Sequence, residues 1–108
     1  MCRFAPASLI TLGIKWGCRP AWVEGKFGLR ALGQSLAREF GAQGIHVAHI
    51  IIDGQIDNPR TKARNPAERA DDTYLSADAI AENYWQLHVQ HRTTWTLELD
   101  LRPYGEKF

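Results

Sequence analysis

Ile45-His46-Val47-Ala48-His49-Ile50-Ile51-Ile52-Asp53 decides the fold. The run is almost continuously apolar and rich in β-branched residues, and it does not alternate cleanly. A strand with one wet face alternates, whereas a strand buried on both faces does not. The stretch therefore predicts an interior strand of a parallel sheet with helices on both sides. Parallel neighbours cannot be joined by a tight turn; they need a crossover, usually a helix. The flanking residues must supply it.

Upstream, residues 21–40 read as that helix. Val23, Phe27, Leu29, Leu32, Leu36 and Phe40 recur mostly at spacings of three and four and mark the apolar face. Glu24, Arg30, Arg38 and Glu39 fall elsewhere, as on a solvated side. Pro20 precedes the start and Gly41 and Gly44 follow the end, where those residues are tolerated and favoured. Gly25, Gly28 and Gly33 inside the helix each cost about 1 kcal/mol relative to Ala, which points to close packing against another backbone. Ser8-Leu9-Ile10-Thr11-Leu12 reads as a first strand.

Downstream, Gly54, Asn58-Pro59 and Asn65-Pro66 break regularity, so residues 54–75 read as a wet loop with a short helix near 66–71. Residues 77–90 read as a second helix. Ser76 caps it, Asp78 sits in its first turn, and Ile80, Tyr84 and Leu87 mark one face. Residues 93–99, Thr93-Thr94-Trp95-Thr96-Leu97-Glu98-Leu99, alternate and read as the last strand, before a polar tail. The order strand–helix–strand–loop–helix–strand gives an α/β class, a partial Rossmann-like parallel sheet with flanking helices.

Composition bounds the function. The 108 residues suffice for one small domain, 44% hydrophobic and 23% charged, with a formal charge of +1. That balance gives no electrostatic reason for a nucleic-acid partner. No apolar run reaches the ~20 residues that span a bilayer. Cys2 and Cys18 are too few for a disulfide framework and imply a reducing, cytoplasmic setting. His46 and His49 lie three apart on a strand, point to opposite faces and make a poor chelate. His88 and His91 have helical spacing but no third ligand, so no metal site is expected. Arg60, Lys62 and Arg64 are interleaved with acids and read as a solvated loop.

Three stretches, taken in order, resemble the C-terminal half of a short-chain dehydrogenase/reductase. Gly25-Lys26-Phe27-Gly28-Leu29-Arg30-Ala31-Leu32-Gly33-Gln34-Ser35-Leu36-Ala37-Arg38-Glu39 resembles the family's active-site helix, which opens with Tyr-x-x-x-Lys. Gly44 to His49 with Asp53-Gly54-Gln55-Ile56-Asp57 resembles the next strand and the cofactor-facing loop. Ile80 to His88 with Trp95 to Tyr104 resembles the last helix and strand. The resemblance covers residues 21–108; residues 1–20 match poorly.

The resemblance implies NAD(P)-dependent oxidoreduction of a hydroxyl or carbonyl, with NAD or NADP as cofactor. In that chemistry a tyrosine moves the proton. A lysine one helical turn on lowers the phenol pKa and holds the nicotinamide ribose, and a serine polarises the carbonyl. Lys26 matches the lysine, as both a catalytic and a cofactor-binding residue. Ser8 is the candidate catalytic serine. Gly54 and Ile56 match the cofactor-binding loop, with Asp53 where the family has proline. Trp22 stands at the tyrosine position, and indole does not titrate usefully. No Gly-x-Gly-x-x-Gly turn occurs anywhere in the sequence.

The expectation is a chain inactive on its own. The alternative is a non-catalytic interaction or dimerisation module, forming a homo-oligomer or docking to a related subunit. Tyr84, Trp85, Trp95 and Leu97 are its candidate contact surface.

Overall fold

A computed structural model describes residues 8–14, 20–64 and 72–105. Three parallel strands form one sheet in the order β1-β2-β3: β1 Ser8–Ile14, β2 His46–Ile52 and β3 Glu98–Leu101. β1 pairs with β2 from Ser8↔His46 to Ile14↔Ile52. β2 pairs with β3 from His49↔Glu98 to Ile52↔Leu101. The decisive run is thus the central strand, as its apolar continuity requires, and Ile50 at its middle is fully buried. Helices α1 (Pro20–Gly41) and α3 (Ala77–Val89) are the crossovers, and a short α2 (Pro59–Arg64) lies between β2 and α3.

Successive residues of a strand face opposite sides. On one side of β2, Ala48, Ile50 and Ile52 pack with Leu87 of α3, and Ile80, Tyr84, Leu99 and Leu101 close around them. On the other side α1 lies against β1 and β2. Two conditions make α3 a helix: Ser76 accepts from the N–H of Ala79 at 3.2 Å, and Leu87 buries against the sheet.

Several local expectations are corrected. The face of α1 turned inward is Lys26, Leu29, Arg30, Gly33, Gln34, Ala37 and Phe40, while Phe27 and Leu32 are exposed. Gly33 is the buried glycine of the three; Gly25 and Gly28 are exposed, with open space where a side chain would stand. The last strand begins at Glu98, not Thr93. Residues Arg92–Thr94 form a 3-10 turn, because the His91 ring and carbonyl take the N–H groups of Thr93 and Thr94. Asn58-Pro59 starts a helix rather than breaking one: Asn58 Oδ1 accepts from the N–H of Thr61 at 2.9 Å, and Pro59 takes the first helical position. This puts a short helix, α2, at Pro59–Arg64, and the one expected near 66–71 lies outside the described residues. Cys2 and Cys18 also lie outside them.

Of the four aromatic and apolar candidates for a contact surface, Trp85 and Leu97 are exposed. Tyr84 packs on the core, and Trp95 stacks on His46 with ring centroids 4.7 Å apart. Both strand histidines are buried, as packing and hydrogen-bonded groups; His46 Nε2 lies 2.8 Å from the Thr96 carbonyl oxygen. No helix among the described residues is long and apolar enough to cross a membrane.

Candidate functional site

In open parallel sheets ligands bind outside the carboxyl ends of the strands. Here that rim is built from the segments following β2 and β3. Gly54 follows β2 at φ +155 and is buried. A methyl group there would stand 2.9 Å from Pro103 Cδ and 3.2 Å from Leu75 Cδ1, so only glycine lets the three segments close up. Leu75 then bridges the loop: its N–H donates to the Gln55 carbonyl at 2.8 Å, and its carbonyl accepts from Asp57 N–H at 2.7 Å. The bridge uses the residues flanking Ile56, so the Ile56 amide is directed away from Leu75. Arg102, half-buried, lies 3.7 Å from Asp53 and is also paired with Asp100, which ties the ends of β2 and β3 together.

A second polar cluster lies between α1 and the sheet. Lys26, Arg30 and Gln34 are spaced four apart, one above the other on the inward face of the helix. Arg30 donates from Nε and Nη2 to the two oxygens of Glu98 at 2.7 and 2.9 Å, and Gln34 adds a third bond at 2.8 Å. This fork of hydrogen bonds holds the Glu98 carboxyl below its usual range and the Arg30 guanidinium above its own. His49 is the β2 partner of Glu98 in register. Burial lowers its pKa; the Glu98 charge opposes that shift, and Arg30 and Lys26 reinforce it. Sequence reading placed Arg30 on the solvated side. The readable signal was the Lys26-Arg30-Gln34 spacing, which names a polar stripe but not its partner.

The helix descends from the carboxyl end of β1 to the amino end of β2. Lys26 therefore sits one turn, about 6 Å, nearer the functional rim than Arg30. Lys26, Gly54 and Ile56 belong to the carboxyl half of the sheet. Ser8 does not: it is the first residue of β1, opposite His46, the first residue of β2. Six strand steps of about 3.3 Å separate it from the rim. Trp22 lies in the first turn of α1.

No family model and no curated protein matches the sequence. A solved structure does, that of a short-chain dehydrogenase from Rhodopseudomonas palustris. The two share 35% identity and superpose with a TM-score of 0.63. This chain is similar to a fragment of a short-chain dehydrogenase. The match covers 93% of this chain and 40% of that one, so the chain spans about two-fifths of the dehydrogenase's length. The fold is accordingly a partial Rossmann-like parallel sheet with flanking helices, similar to part of that short-chain dehydrogenase.

Proposed function

We propose that this chain carries the nicotinamide end of an NAD(P) site of the short-chain oxidoreductase kind. The observation that carries the reading is the Gly54 loop. It is pressed against Pro103 at the carboxyl rim and directs the Ile56 amide away from its own bridge. Lys26, one turn above the Arg30 clamp, supplies the cation that would hold the nicotinamide ribose. These residues fit the nicotinamide-ribose part of the cofactor. They do not fit its pyrophosphate, for which the sequence has no Gly-rich turn. The cofactor, when bound, would supply hydride chemistry; the chain's own residues bind and orient it. Trp22 cannot move a proton, and Ser8 stands at the far end of the sheet. The chain by itself therefore binds without turning over a hydroxyl or carbonyl substrate.

Titration of NADH and NADPH fluorescence with the purified chain tests this. Weak saturable binding is expected, and Lys26→Ala should weaken it about tenfold, the effect of one lost charge-assisted hydrogen bond. Binding that is absent, or indifferent to Lys26→Ala, refutes the reading.

A second reading is a docking module without cofactor. It is favoured by Trp85, Val89 and Leu97, which stand 58%, 52% and 40% exposed around the last helix and strand. Light scattering across a concentration series distinguishes it. A dimer that Trp85→Ser dissolves supports homo-oligomerisation, and a monomer at all concentrations excludes it.

A further inference from the structure

We infer that Arg30, Gln34 and Glu98 are positioning residues for Lys26: together they fix the rotation and height of α1 and so aim the lysine at the carboxyl rim. The role rests on the nicotinamide-site reading given above.

Connectivity alone does not set that helix. α1 crosses over from β1 to β2 and lies against those two strands. On its inward face Gly33 is buried, and Leu29, Ala37 and Phe40 are half-buried. Apolar contact has no direction, so such a face permits the helix to roll or slide. A roll of about 20° carries a side-chain end, ~5 Å from the axis, through about 2 Å. That exceeds the range of roughly 0.5 Å over which a hydrogen bond forms.

The clamp removes both freedoms. Glu98 opens β3, which lies on the far side of β2 from β1. Arg30 Nε and Nη2 donate to its two oxygens at 2.7 and 2.9 Å, which fixes the plane of the guanidinium as well as its place. Gln34 Nε2, one turn further from the rim, reaches Oε1 at 2.8 Å. Two donors a turn apart on one stripe hold rotation and height together, where a single bond would act as a pivot. Lys26 is the next member of that stripe toward the rim. Among the described residues no hydrogen bond or ion pair takes its ammonium, so the helix alone places it.

Stability does not account for the clamp. The Arg30 side chain is 43% exposed and that of Glu98 24%. An ion pair so exposed adds little, and well-packed apolar side chains in its place would serve stability as well or better. A guanidinium fork on a carboxylate adds geometry instead. Glu98 also offsets the Arg30 charge, which leaves Lys26 as the uncompensated cation of the stripe.

His49 supplies an internal ruler. It is the register partner of Glu98 on one side and of Thr11 on the other. The charges it feels are those of Glu98, Arg30 and Lys26. Its titration midpoint, followed by proton NMR, therefore reports how near Lys26 stands. In the purified chain, Lys26→Met should raise that midpoint, because a repelling cation is removed. Arg30→Lys keeps the charge and loses the fork; in that background the rise should be no more than about half as large. No rise in the wild-type chain, or an equal rise in both backgrounds, overturns the proposal.

A double-mutant cycle on NADH binding reads the same device at the site. Glu98→Gln and Arg30→Lys should each weaken binding about fivefold in the wild-type chain and not at all in Lys26→Ala. Weakening that persists in Lys26→Ala makes the clamp a structural support and overturns the positioning role. Where either variant loses the circular dichroism of the chain, Gln34→Ala takes its place, since it leaves no charge unpaired. A chain that binds no NADH refutes the site reading, and the His49 midpoints then decide the clamp by themselves.

Discussion

The two faces of β2 are built by different physics. Toward α3, Ala48, Ile50 and Ile52 meet Leu87 in an apolar contact with no direction to it. Toward α1, Glu98 takes aimed hydrogen bonds from Arg30 and Gln34, and its register neighbour His49 feels the charges of Glu98, Arg30 and Lys26. Burial on the first face scales with area and tolerates any well-shaped hydrophobe. The second face gains little net energy from each bond but fixes one helix register, because a displaced Arg30 leaves a half-buried carboxylate short of donors. The apolar face supplies stability and the polar face supplies position. Position is what a lysine one turn above Arg30 requires.

The comparison can be broken most severely from the apolar side. Ile50→Ala removes the most buried side chain and should cost about 3 kcal/mol, read as the loss in urea midpoint multiplied by an unchanged slope. An effect under about 1 kcal/mol would mean the face is loosely packed.

On the polar side, Glu98→Gln should cost about 1.5 kcal/mol at neutral pH, the low end for hydrogen bonds to a charge because the pair is partly exposed. Its pH dependence has a definite sign. The folded pKa of Glu98 lies below the ordinary 4.5, so its contribution is full above that value and is lost as pH falls through the folded pKa. The wild-type stability curve should therefore drop in that acid window, and the variant's curve should drop less.

Tyr84→Phe tests the one blemish on the apolar side. The Tyr84 hydroxyl is buried with no hydrogen-bond partner among the described residues, and burial pushes its pKa up. Removing it should raise stability by roughly 1 kcal/mol in the same denaturant assay; a loss would reveal a partner.

The smallest effect belongs to His49. Its folded pKa is below 6.5, so acidification through 6.5 protonates the unfolded chain first and stability falls as pH falls. His49→Gln should flatten that slope by a few tenths of a kcal/mol per pH unit, measured by thermal unfolding between pH 5 and 7 on the order of the ordinary histidine range.

How much of this was legible in the sequence follows the same division. The central strand was legible because burial on both faces leaves a run of apolar residues that nothing else explains. The Ser76 cap was legible because a cap acts over three residues. The Asn58-Pro59 start was misread because the same dipeptide ends one element or opens another, depending on which N–H the asparagine reaches. The start of β3 was misplaced because Thr93-Thr94-Trp95 satisfy β propensity locally, while pairing is decided by the register with His49. The Arg30–Glu98 clamp was illegible: its partners are 68 residues apart, and a lone arginine on a helix gives no sign of where its acceptor stands. The candidate rim divided likewise. Gly54 was named through the resemblance of its loop, Arg102 was not named, and Ser8 was assigned without knowledge of which end of its strand lies at the rim.

The sheet is parallel throughout, and this has a consequence for the order of events during synthesis. Each ladder waits for a crossover to be made, so both strand pairings join residues far apart in the chain. The helix that carries Lys26 is complete long before Glu98 has been added. Until the last strand leaves the ribosome, α1 can seat itself on the sheet but has no acceptor to set its rotation. A nascent chain stalled short of Glu98 should thus hold its apolar layer only in part and its lysine in no fixed place.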